Sequence, residues 1–204
     1  MRSSRRPALK IELVDDPDLI RQLGYPKDQD RTFGVVHQSE IIKRLMQRLQ
    51  PKRFGTGAYK DTAQTEIGIL FETMLERALV AKFATSRPGE LVSDEGVYMS
   101  PDGVNPSLLA GEEYKATFMS YRDGITDENG QPKEKYLHWF FQMKGFAKWL
   151  GVLRYLLRVL FVCGDYSRPL TPVFKTFDIV FTQDEVDENW TMLMNFARSE
   201  EMLP

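Results

Sequence analysis

Apolar and polar positions divide the chain into segments of differing period. Ile41, Ile42, Leu45 and Leu49 recur at helical spacing behind Ser39, which predicts a helix over about 40–50 with Ser39 as its N-cap. Pro51 ends it, Gly55 and Gly57 make a loop, and Asp61 with Gln64 three residues on resembles a capping box. That box opens a long helix over roughly 62–84, with Ile67, Leu70, Phe71, Met74, Ala78 and Ala81 as its core face, closed by Arg87-Pro88-Gly89. Strand chemistry follows at 97–99, then the turn-like Ser100-Pro101-Asp102-Gly103, then a second strand over 111–119. Residues 123–135 hold Gly, Asp, Asn and Lys and read as an exposed, mobile loop. Residues 136–150 read as a helix stopped by Gly151, residues 153–163 and 172–182 as strands, and 184–199 as an amphipathic helix with acids in its first turn. This order predicts an α/β fold, a central mixed β-sheet flanked by helices. Residues 1–30, rich in Pro, Asp and Arg, read as an irregular arm, which leaves 31–204 as a single domain.

Composition narrows the function classes. The 204 residues are 42% hydrophobic and 12% aromatic, enough for a core without staples. Lys and Arg number 27 against 29 Asp and Glu, which argues against a disordered or polybasic chain. A single cysteine, Cys163, cannot build a disulfide framework, a Cys-rich zinc site or a Cys-ligated iron–sulfur cluster within one chain. Two histidines, His37 and His138, leave little for a His-rich metal site. No apolar run reaches the roughly 18 residues of a membrane span. The opening MRSSRRPALK lacks the apolar stretch of a secretory signal, so the expected compartment is the cytoplasm. Charge is nevertheless uneven. Lys43, Arg44, Arg48, Lys52, Arg53 and Lys60 form a stretch without an acid, while 183–204 holds six acids and one base. The basic stretch reads either as a positive field for a phosphate backbone or as a solvated helix face.

The informative stretch is 99–117. In a strand, residues two apart share a face, so Glu113 and Lys115 project together while Glu112, Tyr114 and Ala116 face the other way. With Asp102 on the turn before, this places two acids beside one base. Two carboxylates suit a hard cation such as Mg²⁺, and a lysine nearby suits a water or a transition-state charge. The triplet taken alone also suits an ordinary cross-strand salt bridge.

Ser100-Pro101-Asp102-Gly103, a ten-residue gap and Glu113-Tyr114-Lys115 resemble the PD-(D/E)XK nuclease signature. The flanking segments resemble its RecB-like and phage lambda-exonuclease (YqaJ-like) branch. Gly68, Glu72 and Glu76 sit at the steps of that branch's helical motif, with Glu72 where a His is usual. Gln142-Met143-Lys144-Gly145-Phe146 is similar to its Gln-x-x-x-Tyr helix, with Phe for Tyr, and Ser39 with Gln50-Pro51-Lys52-Arg53-Phe54 resembles its N-terminal helix. The resemblance covers about 39–166 in the family's order.

The resemblance implies a restriction-endonuclease-like core and a metal-dependent DNA nuclease. Its branch points to an exonuclease of phage or bacterial DNA recombination and repair. A structure-specific or restriction-type endonuclease and a non-catalytic DNA-binding protein are the alternatives. It implies Asp102, Glu113, Glu76 and the Tyr114 backbone carbonyl as ligands of Mg²⁺ or Mn²⁺, Lys115 as the catalytic lysine and Gln142 at the site rim. Ser39, Arg44, Lys52 and Arg53 are the candidate DNA contacts. A single-strand annealing protein or helicase partner, and a homo-oligomer such as a ring trimer, come by family analogy alone. The substitution of Glu72 for His leaves its role open, and Phe146 lacks the hydroxyl of a Tyr. Beside these, Trp139, Phe140, Phe141, Phe146 and Trp149 read as core, His138 as structural or surface, and Cys163 as a buried, inert strand thiol.

Overall fold

The computed structural model describes residues 32–55, 63–83 and 85–204. The expected arm, Lys60 and the Asp61 cap lie outside the described residues. Helix α1 spans Gln38–Leu49, α2 is a single turn at Pro51–Phe54, and α3 spans Ala63–Phe83. A small antiparallel pair follows, β1 (Leu91–Val92) with β2 (Tyr98–Met99). The main sheet is β3 (Gly103–Asn105), β4 (Ala110–Thr117), β5 (Arg154–Phe161) and β6 (Val173–Val180), in that spatial order. Strand β4 runs antiparallel to β3 and parallel to β5, and β5 is antiparallel to β6. The mixed sheet expected from the pattern is therefore present. A parallel neighbour needs a crossover, and α4 (Leu137–Leu150) supplies it between β4 and β5. Helix α5 (Gln183–Ser199) closes the chain. Among the described residues no helix is long and apolar enough to cross a membrane.

The pleat assigns each face of the sheet to different helices. Tyr155, Leu157, Val159 and Phe161 of β5 join the main core with α1, α4 and α5. Tyr114, Ala116 and Leu160 meet Phe71, Leu75 and Leu79 of α3 on the other side. Trp139, Phe140, Met143, Phe146 and Ala147 form the buried stripe of α4, each large side chain stabilising by about 1.5–3 kcal/mol. Phe141 and Trp149 pack at its edge, so the aromatics of this helix are core. Gly151 stops α4 in the left-handed conformation at φ 67°.

Three local expectations change. The cap of α1 is His37, not Ser39, because the Val36 carbonyl bonds to the Tyr98 N–H at 2.9 Å and holds the chain extended up to His37. Helix α3 buries Phe71 and Leu79, while Leu70 and Met74 are 48% and 62% exposed and Ala78 also faces solvent. The apolar residues of that helix are not confined to one face, so its buried stripe was chosen by β4 rather than by its own period. Cys163 lies in the turn after β5 and is half-buried, not in the strand. The start of α5 carries a capping box that the sequence reading missed. Thr182 Oγ1 accepts the Glu185 N–H at 3.2 Å and the Thr182 N–H donates to Glu185 at 2.9 Å.

Candidate active site

Period two alone sends Glu113 and Lys115 to one side of β4, and the structure keeps them there. Glu113 is fully buried, and its Oε1 is ion-paired with Lys115 Nζ. Its Oε2 is buried with no hydrogen-bond partner. Asp102, on the bend between β2 and β3, comes alongside because Gly103 pairs with Glu112 across the β3–β4 ladder. There Asp102 Oδ2 accepts the Tyr114 N–H at 2.8 Å. The three residues the sequence singled out thus stand together, two carboxylates against one ammonium.

The electrostatics follow from that excess of negative charge. Burial, and then the Asp102 charge, push Glu113 up to about 8, although Lys115 pulls against them. Asp102 is likewise raised by burial, against Lys115 and the Tyr114 N–H. Burial would lower Lys115, but Glu113, Asp102 and Glu72 together hold it above its ordinary value, so it stays an ammonium at neutral pH.

Three neighbours were not assigned from sequence. Glu72 of α3 is half-buried, and its charge acts on both Glu113 and Lys115, which places it within electrostatic reach of this cluster. Tyr155 of β5 is buried over Gly111, its hydroxyl has no hydrogen-bond partner, and its pKa is raised by burial and then by Glu113 and Asp102. The small residue just before Glu112-Glu113 was the one signal that a ring would sit there. His138 of α4 is driven down to about 3 by burial first and then by Lys115 and Arg53, which keeps it neutral.

His138 also lines a groove of about 350 Å³ with Ser39, Lys43, Phe54 and Gln142, between α1 and α4. The groove therefore gathers two sequence candidates, Ser39 and Gln142, while Asp102, Glu113 and Lys115 are not among the residues that line it. Gln38, 1% exposed, ties the two helices by donating to the carbonyls of Phe141 and Gln142 at 3.2 and 3.3 Å. Arg44 and Lys52 are exposed, and Arg53 lies 5.6 Å from the Phe54 ring with Nη2 on Met119 Sδ at 3.4 Å.

The donors present fit a hard divalent cation, since a buried carboxylate oxygen without a partner and surplus negative charge are both relieved by one. Among the described residues no group of three or more His, Cys, Asp or Glu side chains is disposed to hold a metal ion. Asp102 and Glu113 are two such donors. Glu76 lies on α3, and its side chain is outside the described residues.

Solved structures share this architecture. An alkaline exonuclease from Laribacter hongkongensis is 18% identical, over 82% of this chain and 88% of its own, with a TM-score of 0.53. A phage-related exonuclease from Haemophilus somnus 129PT is 14% identical over 90% of each chain, with a TM-score of 0.50. No protein-family model and no curated protein sequence matches the chain. At these identities the likeness is one of fold. The chain shares the α/β fold of these exonucleases, a central mixed sheet flanked by helices as the sequence predicted.

Proposed function

We propose that the chain is a divalent-metal-dependent deoxyribonuclease, an exonuclease that hydrolyses phosphodiester bonds in phage or bacterial DNA recombination or repair. The observation that carries this reading is Glu113, buried beside Asp102 with one oxygen on Lys115 and the other on nothing. A purely structural carboxylate would have its hydrogen bonds satisfied. Asp102 and Glu113, with Glu76 and the Tyr114 carbonyl, would hold Mg²⁺ or Mn²⁺. When bound, such a cation supplies an activated water and offsets charge at the attacked phosphorus.

The chain's own groups do the rest. Lys115, held as an ammonium by Glu113, Asp102 and Glu72, is a donor that orients the water or steadies the developing negative charge. Glu72 and Tyr155 wall the cluster. Gln142, Ser39 and Lys43 on the groove between α1 and α4, with exposed Arg44, Lys52 and Arg53, offer a polar and basic track for the phosphate backbone, which would position DNA without reading its sequence.

Wild type and Lys115→Ala should be compared on end-labelled linear duplex, single strands and closed circles, each with Mg²⁺, Mn²⁺ or EDTA. Metal-dependent loss of linear DNA, absent in the variant and sparing circles, is the expected result. Cutting of circles would make the enzyme an endonuclease. No turnover on any DNA, with binding intact, would overturn the enzymatic reading.

A further inference from the structure

The face of β4 that turns away from Glu113 carries a polar chain across the whole sheet. Asn105 Nδ2 of β3 donates to Glu112 Oε1 at 3.1 Å. Arg158 of β5 donates from Nε and Nη2 to the two Glu112 oxygens, each at 2.9 Å. Its Nη1 continues to Thr176 Oγ1 of β6 at 3.2 Å. Glu112 is 0% and Arg158 9% exposed, beneath the apolar residues of α3. Apolar residues of similar volume are often as stable as a buried ion pair, so stability alone is a weak reason for this one.

One member of the chain reaches the cluster on the other side. The Tyr114 phenol donates to Glu112 Oε2 at 2.9 Å, and burial followed by the Glu112 charge raises its pKa, so the donor proton is kept. The N–H of the same residue holds Asp102 Oδ2 at 2.8 Å. Gly103, which follows Asp102, lies against the phenol end of the ring. A Cβ there would stand 2.7 Å from Tyr114 Oη and 3.2 Å from Thr85 Cγ2. Gly103 is not among the glycines with positive φ, so close approach, and not backbone freedom, is what demands it.

We propose that Tyr114 is a positioning residue for Asp102. Its ring, anchored through Glu112 to Arg158, seats the Asp102-Gly103 turn, while its amide aims the Asp102 carboxylate. This rests on reading Asp102 as a metal-side carboxylate. A face of the sheet that touches no substrate thereby sets the geometry of the face that does. Supporting groups of this kind commonly change metal affinity by about 10- to 100-fold when lost.

The full chain should be studied as Tyr114→Phe, Gly103→Ala and the double variant. Two readouts serve: Mn²⁺ affinity from the free-ion paramagnetic resonance signal, and hydrogen exchange at the Tyr114 amide in metal-free protein. Tyr114→Phe keeps Glu112 paired with Arg158 and Asn105, so it should fold. It should weaken Mn²⁺ about tenfold and speed exchange at its own amide. Gly103→Ala should also weaken Mn²⁺, and the double variant should recover part of that loss, because removing Oη makes room for the new Cβ. A purely structural role predicts lower thermal stability with unchanged affinity in the folded protein. Equal Mn²⁺ affinity in wild type and both single variants would overturn the proposal. Wild type that binds no Mn²⁺, with amide exchange still responding to Tyr114→Phe, would overturn the metal-site reading and uphold the clamp.

Discussion

Glu112 and Glu113 are adjacent on β4, equally buried, and sent by the pleat to opposite faces of the sheet. On one face Glu112 accepts from Asn105, Tyr114 and both arms of the Arg158 fork, so its charge is matched and its oxygens are occupied. On the other, Glu113 shares one lysine with Asp102 and keeps an oxygen unpartnered. Burial is the same on both sides. Satisfaction is what differs: one carboxylate is tied into the sheet by four hydrogen bonds, and the other keeps an oxygen without a partner.

The largest effect that would break this contrast is on stability. Glu112→Ala strands the Arg158 guanidinium in the core and should cost about 3–5 kcal/mol, read from urea unfolding. Glu113→Gln should leave the fold as stable or more so, while turnover of linear DNA falls by about 10²–10³. Equal destabilisation by the two variants would erase the distinction.

A pH series sharpens it. Glu113 has a usual value of 4.5 and rises to about 8 in the folded, metal-free chain. The folded state therefore binds the extra proton between these values, and stability is lost as pH rises through that window. Glu113→Gln should flatten this part of the thermal midpoint profile.

Smaller effects bear on the scaffold. Gly145→Ala would drive a Cβ into the buried Gln38 amide that ties α1 to α4. It should destabilise by about 1–3 kcal/mol, although alanine is the better helix former by about 1 kcal/mol. The smallest belongs to Arg154, a fork on the same strand as Arg158 but 39% exposed against an Asp178 that is 50% exposed. Arg154→Ala should cost at most about 1 kcal/mol, which isolates burial as the source of the Glu112 effect.

Much of this was legible along the chain because it depends on local period and covalent geometry. The alternation of Glu112, Glu113, Tyr114 and Lys115, the aromatic stripe of α4 and the Gly151 stop follow from residue spacing alone. The turn-like Ser100-Pro101-Asp102-Gly103 before β3 placed Asp102 near enough in sequence to be paired with the triplet. The short β3, the His37 cap and the buried stripe of α3 were not legible, since each is decided by a partner strand or helix far along the chain. The same holds for the site. Local sequence marked Asp102, Glu113 and Lys115 as a candidate cluster. Only the folded chain brought Glu72, Tyr155 and His138 beside them, and only an arginine 46 residues away made Glu112 structural. Side-chain direction is a property of the strand, whereas the partner that satisfies or abandons a buried charge is a property of the fold.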